Sequence, residues 1–297
     1  MNPGKLLAGA CAGLLFSSAL TAAEALPQRW VSAGGSLSEW VVALGGEGKL
    51  VGVDSTSQYP QSLRQLPGVG YQRQLAAEGV LALRPDLLVG SEEMGPPPVL
   101  EQLKAAGVQI ELLSAQASLS TLEHNLQRLG RLLGTPQQAQ ASMDAYRKRL
   151  QRQAAWVHQA QRQQPAPRVL MLLGHSGSAT LMAGQDTLAA WLITQSGGHN
   201  LGEHQGYKPI SSEALLALDP QVVIFADRRL AGEAARAALL EQNPALAQTQ
   251  AGRTGRLLDL DPTLLVGGLG PRLPDALAVL AAACYPSAHP LAADNRP

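Results

Sequence analysis

Apolar residues fall along this chain in short runs separated by stretches with helical spacing. Runs at 50–53, 87–89, 108–112, 169–173, 222–225 and 257–260 are rich in Val, Leu and Ile and too short for helices, so they read as buried strands. Between most of them, apolar residues recur every three or four positions, as an amphipathic helix requires. That alternation predicts an α/β protein whose parallel sheets are flanked by helices. One pattern occurs twice. Residues 78–90 read EGVLALRPDLLVG and residues 213–225 read EALLALDPQVVIF. In each copy a short amphipathic turn leads to Pro85 or Pro220, which cannot continue a helix, and then to a strand. The chain therefore reads as two similar halves with a cleft between them, the natural place for a ligand.

The repeat extends further. Leu37 and Trp40 followed by Gly45-Gly46 match Leu188 and Trp191 followed by Gly197-Gly198, a pair of equivalent helices entered near Ser36 and Thr187 and stopped by glycines. Both tryptophans sit among Leu, Val and Ile, which marks them as packing residues. Between the halves, 136–164 is rich in Gln, Ala and Arg, with Ala139, Met143, Tyr146, Leu150, Ala154 and Val157 forming one apolar stripe. The expected organisation is an N-terminal lobe over 26–135, a single linker helix over 136–164, a C-terminal lobe over 165–285 and a flexible tail over 286–297. A rod of about 40 Å joining the lobes disfavours large hinge closure.

Composition narrows the functional classes. Residues 1–23 carry Lys5, an apolar stretch and small residues at Thr21, Ala22 and Ala23, the form of a secretory signal removed on export to a periplasm or similar space. The apolar run is short for a bilayer span, so no membrane span is expected in the mature chain. Of two cysteines, Cys11 and Cys284, only the second outlasts signal removal, so neither an intramolecular disulfide nor a thiolate metal cluster is expected. A formal net charge of +0 argues against nucleic acid as a partner. The sequence reads as that of a monomer.

Several apparent motifs fail. Gly45-Gly46-Glu47-Gly48-Lys49 suggests a phosphate loop, but Ala43 stands where its first glycine belongs and no Ser or Thr follows Lys49. The segment 199–204 lacks metalloprotease spacing, and no nucleophile elbow is present. His124 and His158 fall in polar helical stretches and read as solvated. No grouping of acid, base and nucleophile suggests an enzyme. The segment that carries a chemical signal is Pro67-Gly68-Val69-Gly70-Tyr71-Gln72-Arg73, where glycines expose one of only five tyrosines. Taken by spacing alone, Tyr71 either caps the next helix or faces a ligand.

The stretch 59–79, with Tyr59-Pro60, Leu66-Pro67, Val69-Gly70-Tyr71, Arg73, Leu75 and Glu78-Gly79, resembles the haem-binding periplasmic proteins of bacterial haem-uptake ABC transporters, the PhuT, ShuT and HmuT type of class III periplasmic binding protein. The similarity continues through 169–177, 183–187 and 267–272 and so covers essentially the whole mature chain; it is specific in the Gly-Tyr-x-Arg segment and general elsewhere. The resemblance implies two Rossmann-like lobes joined by one helix, with haem as the transported ligand and an inner-membrane ABC permease dimer as partner. Corrinoid or ferric-siderophore binding is the alternative within the same fold.

In that family the tyrosine matching Tyr71 supplies an axial oxygen to haem iron. Ferric ion favours the phenolate over the phenol, whose free pKa is near 10, and a hard anionic oxygen prefers Fe(III). Arg73 is placed to donate to that oxygen, or is an ordinary surface arginine. For a second ligand, His175 after the strand at 169–173 competes with Tyr207, which precedes Glu213 much as Tyr71 precedes Glu78; otherwise both line the cleft wall. Arg228 and Arg229 follow the strand at 222–225, at the carboxyl end where ligands of such sheets bind, in position to meet a haem propionate or solvent. Glu78 and Glu213 match the acids that the family offers to permease arginines, one per lobe, and they also suit the first turn of a helix.

Overall fold

The computed structural model describes residues 26–174, 179–227 and 229–288. The expected signal over 1–23, residues 289–297 of the expected tail, His175 and Arg228 lie outside the described residues. The first half runs β1 (Trp30–Ala33), α1 (Gly35–Ala43), β2 (Leu50–Val53), α2 (Ala77–Ala82), β3 (Leu87–Ser91), α3 (Pro97–Ala105), β4 (Gln109–Leu113) and α4 (Leu119–Leu133). Its four strands form a parallel sheet in the order β2-β1-β3-β4. The helix α5 (Pro136–Gln161) leads to the second half: β5 (Arg168–Gly174), β6 (Leu181–Ala183), α6 (Leu188–Gln195), β7 (His199–Asn200), β8 (Tyr207–Pro209), α7 (Ser212–Leu218), β9 (Val222–Asp227), α8 (Gly232–Gln242), α9 (Gln250–Arg253), β10 (Leu257–Asp259) and α10 (Leu273–Cys284).

Six strands form the second sheet, in the order β10-β9-β5-β6-β8 with β7 on β5. The strands β5, β7, β9 and β10 pair in parallel, whereas β6 pairs antiparallel with both β5 and β8. The expectation of purely parallel sheets is therefore corrected for this lobe. The segments 181–183 and 207–209, three residues each, are too short to register as strands in the sequence; the first pairs with β5 and the second with the first.

The repeated segments occupy equivalent places. Glu78 opens α2 ahead of β3, and Glu213 opens α7 ahead of β9. Arg84 (φ 48°) and Asp219 (φ 35°), each directly before its proline, both take the left-handed conformation that side chains other than Gly, Asn and Asp seldom adopt. Duplication thus preserved a backbone turn as well as a pattern of apolar residues.

The strand β1 lies inside the first sheet with all four residues buried, yet no apolar run marks it. Ser32 interrupts it, and that hydroxyl is satisfied by Ser38, whose Oγ donates to Ser32 Oγ at 2.7 Å. Ser38 also bonds Ser57, which donates to the buried carboxylate of Asp54 at 2.7 Å; Asp54 further accepts the Gly34 and Thr56 backbone N–H groups. A closed set of hydroxyl and amide donors lets these polar groups be buried at the ends of β1 and β2.

On α5 the buried stripe is Ala139, Met143, Tyr146, Leu150, Gln153, Val157 and Ala160. It alternates steps of four and three without a break, so Gln153 takes the inward position expected for Ala154, which is half-buried. The helix packs on α4 and α10, and one core cluster draws on both halves through it.

Candidate ligand cleft

A cleft of about 570 Å³ opens between the two halves, within the size range of small-molecule and cofactor sites. Its first wall carries Tyr71, Gln72 and Arg73 from the segment between β2 and α2, and Glu93 from the loop after β3. The opposite wall carries Asp186, Thr187 and Tyr207 with the apolar side chains of Leu173, Leu181 and Leu188. Most of these positions follow the carboxyl ends of strands, as expected for open parallel sheets.

Tyr71 stands on a fixed base. The Val53 N–H donates to the Pro67 carbonyl at 3.0 Å, the Val69 N–H to the Val53 carbonyl at 2.9 Å, and the Ser55 N–H to the Gly70 carbonyl at 2.8 Å. Gly70 has φ 89°, which turns the chain so that Tyr71 meets the cleft. Tyr71 precedes a 3-10 turn, Gln72–Gln74, but its side chain makes no cap bond there. Tyr71 thus stands at the N-cap position of that turn and lines the cleft. Tyr207, at the start of β8, uses the same device: Gly206 has φ 69° and its N–H donates to Asp186 Oδ1 at 2.8 Å. The two tyrosines thus line one cleft from opposite halves.

Arg73 does not stand as an isolated donor beside Tyr71. Its Nη2 donates to Glu93 Oε1 at 2.6 Å, with the Arg and Glu side chains 54% and 37% exposed. Partial desolvation works against the arginine's charge, but the hydrogen bond and field of Glu93, with smaller fields from Tyr71 and Tyr207, outweigh it and raise its pKa. The Tyr207 phenol is also pushed above its ordinary 10, first by desolvation between the cleft walls although 39% of the residue remains open. Glu93 and Asp186 add to that shift, and a Thr187 hydrogen bond and Arg73 oppose it. Tyr207 is therefore a neutral phenol at physiological pH.

The remaining candidates lie elsewhere. Arg229 is exposed and is not among the residues lining the cleft; its backbone N–H donates to Asp227 Oδ1 at 2.7 Å, which turns the chain away just after β9. Glu78 and Glu213 are exposed in the first turns of α2 and α7. The Glu213 carboxyl is held below its ordinary value by its own backbone N–H and by Ser211. Sequence reasoning missed Glu93 as a cleft residue. The available signal was its place two residues beyond the end of β3.

A family profile described as periplasmic binding protein matches residues 31–264. The chain belongs to the periplasmic binding protein family. Among solved members, a periplasmic heme binding protein from Pseudomonas aeruginosa is 67% identical, covering 90% of this chain and 96% of that one, with a TM-score of 0.88. The periplasmic heme binding protein HutB of Vibrio cholerae is 36% identical over 87% of this chain and 99% of its own, with a TM-score of 0.74. Among curated relatives, a vitamin B12-binding protein of Pectobacterium carotovorum is 29% identical over 69% of this chain and 73% of its own.

In this periplasmic binding protein the two lobes are also tied together beneath the cleft. Arg272, just ahead of α10, donates from Nε and Nη2 to Glu39 Oε1 on α1 at 2.9 and 2.6 Å. It also donates from Nη1 to Asp261 Oδ2 and from Nη2 to Thr263 Oγ1, each at 2.8 Å, and its guanidinium lies 3.8 Å from the Tyr59 ring centre. The Trp40 indole N–H donates to the Leu269 carbonyl at 2.8 Å, and the Ser36 N–H to the Val266 carbonyl at 3.0 Å. Burial raises the Glu39 pKa against the pull of Arg272, whereas Asp261, despite its own burial, is held below its ordinary value by bonds from Arg272 and Thr263.

Proposed function

We propose that this chain is the periplasmic carrier of a haem-uptake ABC transporter, with Tyr71 as the axial ligand to ferric haem. The observation that carries the proposal is the glycine-lifted Tyr71 in the wall of a haem-sized cleft. The site suits the cargo on chemical grounds. Ferric iron favours a hard anionic oxygen, which a phenolate supplies, as it does in haem enzymes with a tyrosine ligand. Leu173, Leu181, Leu188 and Leu265 offer apolar surface to a porphyrin face. Tyr207, kept neutral, lines the far wall as a hydrogen-bonding group and as a second oxygen within the cleft. Arg73 stands two residues from Tyr71 on the same cleft wall, paired with Glu93.

The likeness to heme-binding members at 67% and 36% identity supports haem over a corrinoid, and the curated vitamin B12 binder is the more distant match. The signal-like pattern over 1–23 supports export of the mature protein to the periplasm. The chain's role is binding and delivery; among the described residues no cluster of His, Cys, Asp and Glu is built to hold a metal ion on its own. The two exposed glutamates, one on α2 and one on α7, are offered to the paired subunits of the permease. A pseudo-symmetric membrane dimer needs the same charge twice, which a duplicated carrier provides.

The test is an optical titration with ferric haem. Wild type should show a saturable Soret change with a phenolate-to-iron charge-transfer band, and Tyr71→Ala should lose that band and bind far more weakly. A mutant spectrum identical to wild type removes Tyr71 from the role. A wild type that takes up cyanocobalamin and not haem overturns the choice of cargo.

A further inference from the structure

Glu93 occupies an unusual position for a carrier of an anionic cargo. Arg73 is the one cation among the described residues that line the cleft, and Glu93 is paired with it. The carboxylate is firmly held. Its second oxygen accepts from Gln72 Nε2 at 3.3 Å, and Gln72 is itself buried. The Glu93 N–H donates to Ser91 Oγ at 3.3 Å, and the next residue, Met94, is buried with its N–H bonded to the Ser91 carbonyl at 2.9 Å. The Gly95 N–H donates to the Gln72 carbonyl at 2.9 Å, and the Leu75 N–H to the Gly95 carbonyl at 2.8 Å, so the loop bearing Glu93 is stitched to the segment bearing Tyr71 and Arg73. Glu93 is thus a fixed anion that takes hold of both side chains following Tyr71.

We propose that Glu93 is a positioning residue that limits how tightly the cleft holds ferric haem, by pairing with Arg73 and masking the charge that would stabilise the Tyr71 phenolate. The proposal rests on Tyr71 being the iron ligand. A free Arg73 would favour the phenolate and hence the bound cargo; a paired Arg73 presents nearly no net charge to it. Such a brake suits a carrier, whose cargo must leave again at the permease. It also selects, because it acts on ligands held through the phenolate and not on the porphyrin ring as such.

Glu93→Gln keeps the shape and a hydrogen-bonding group but removes the charge. For a partly exposed pair the expected effect is about three- to fivefold tighter ferric haem binding, with the charge-transfer band moved to shorter wavelength because the phenolate becomes a poorer electron donor. Glu93→Asp, which restores the charge, should return both toward wild type. In an Arg73→Ala background Glu93→Gln should have no effect, and metal-free protoporphyrin IX, with the same two propionates and no iron, should bind wild type and Glu93→Gln equally. Tightening that persists without Arg73, or that is equal for the metal-free ring, shows a direct field from Glu93 and overturns the proposal, as does unchanged or weakened haem binding in Glu93→Gln. If wild type binds no ferric haem, the assignment of Tyr71 fails and this proposal falls with it; if wild type binds and Glu93→Gln is silent, only the role of Glu93 is lost.

Discussion

Arg272 is the residue whose removal should cost the fold most for its size. Replacing it by Met keeps an apolar stem beside Tyr59 and deletes the guanidinium. Glu39, 5% exposed, then loses both bonds to its Oε1, and Asp261 loses its charged partner. Stranding one member of a buried pair costs about 3–5 kcal/mol. Because the Arg272 side chain keeps 28% of its surface exposed, the lower end applies, about 3 kcal/mol. At about 2–4 °C per kcal/mol for a protein of this size, Arg272→Met should unfold about 6–12 °C below wild type in a circular-dichroism melt at pH 8. The deficit should depend on pH. The folded-state pKa of Glu39 already lies above its ordinary 4.5, so its contribution favours the fold below that value and is lost as pH rises through the raised pKa. Without Arg272 it climbs further, and the loss grows. Asp261 has the opposite sign: its depressed pKa stabilises the fold above the ordinary 3.8, and that support fades when its cation is gone. Both effects make the variant's deficit larger at pH 8 than at pH 4. Adding Glu39→Gln to Arg272→Met should recover part of the lost melting temperature, since a neutral amide is cheaper to bury unpaired. A melting temperature within about 2 °C of wild type at both pH values would refute the view that this network carries the lobe interface.

Glu78→Ala with Glu213→Ala should leave the haem titration unchanged while suppressing haem-dependent transport and ATPase stimulation in reconstituted permease; full transport by the double variant would leave these acids as helix-start residues only. Gln153→Leu should raise the melting temperature by about 2–4 °C, because both polar atoms of the Gln153 side chain are buried without a partner and an apolar side chain of similar size removes that penalty, about 1 kcal/mol. An unchanged or lowered melting temperature would show that the amide is satisfied in solution.

The fold class was legible wherever a strand was a continuous apolar run. The segments 87–89, 169–173 and 222–225 appear as β3, β5 and β9, all interior strands of their sheets. The strand β1 escaped because Ser32 breaks its run, and the hydroxyl that satisfies a buried serine there comes from Ser38 on α1, itself linked to Ser57 and Asp54 beyond β2. The strands β6 and β8 escaped because three residues carry no period. Tyr71 stood out locally through its glycines, yet Glu93, which shapes its surroundings, is separated from it in sequence and is joined to it only by the packing of β3 beside β1 and the loops above them. Residues that act through a loop's neighbours leave no periodic mark.

The bonds that cross from α1 to the segment 266–272 bear on how a carrier reports its load. A cleft whose floor is pinned by Trp40, Ser36 and Arg272 cannot change its width much between empty and filled states. Outline then carries almost no message: the two states would scatter X-rays with nearly the same radius of gyration and present the same pair of acidic helices. Under the proposed docking, a permease that discriminates between them would have to read the mouth of the cleft, where cargo replaces water, and the empty carrier would compete with the loaded one for the same surface.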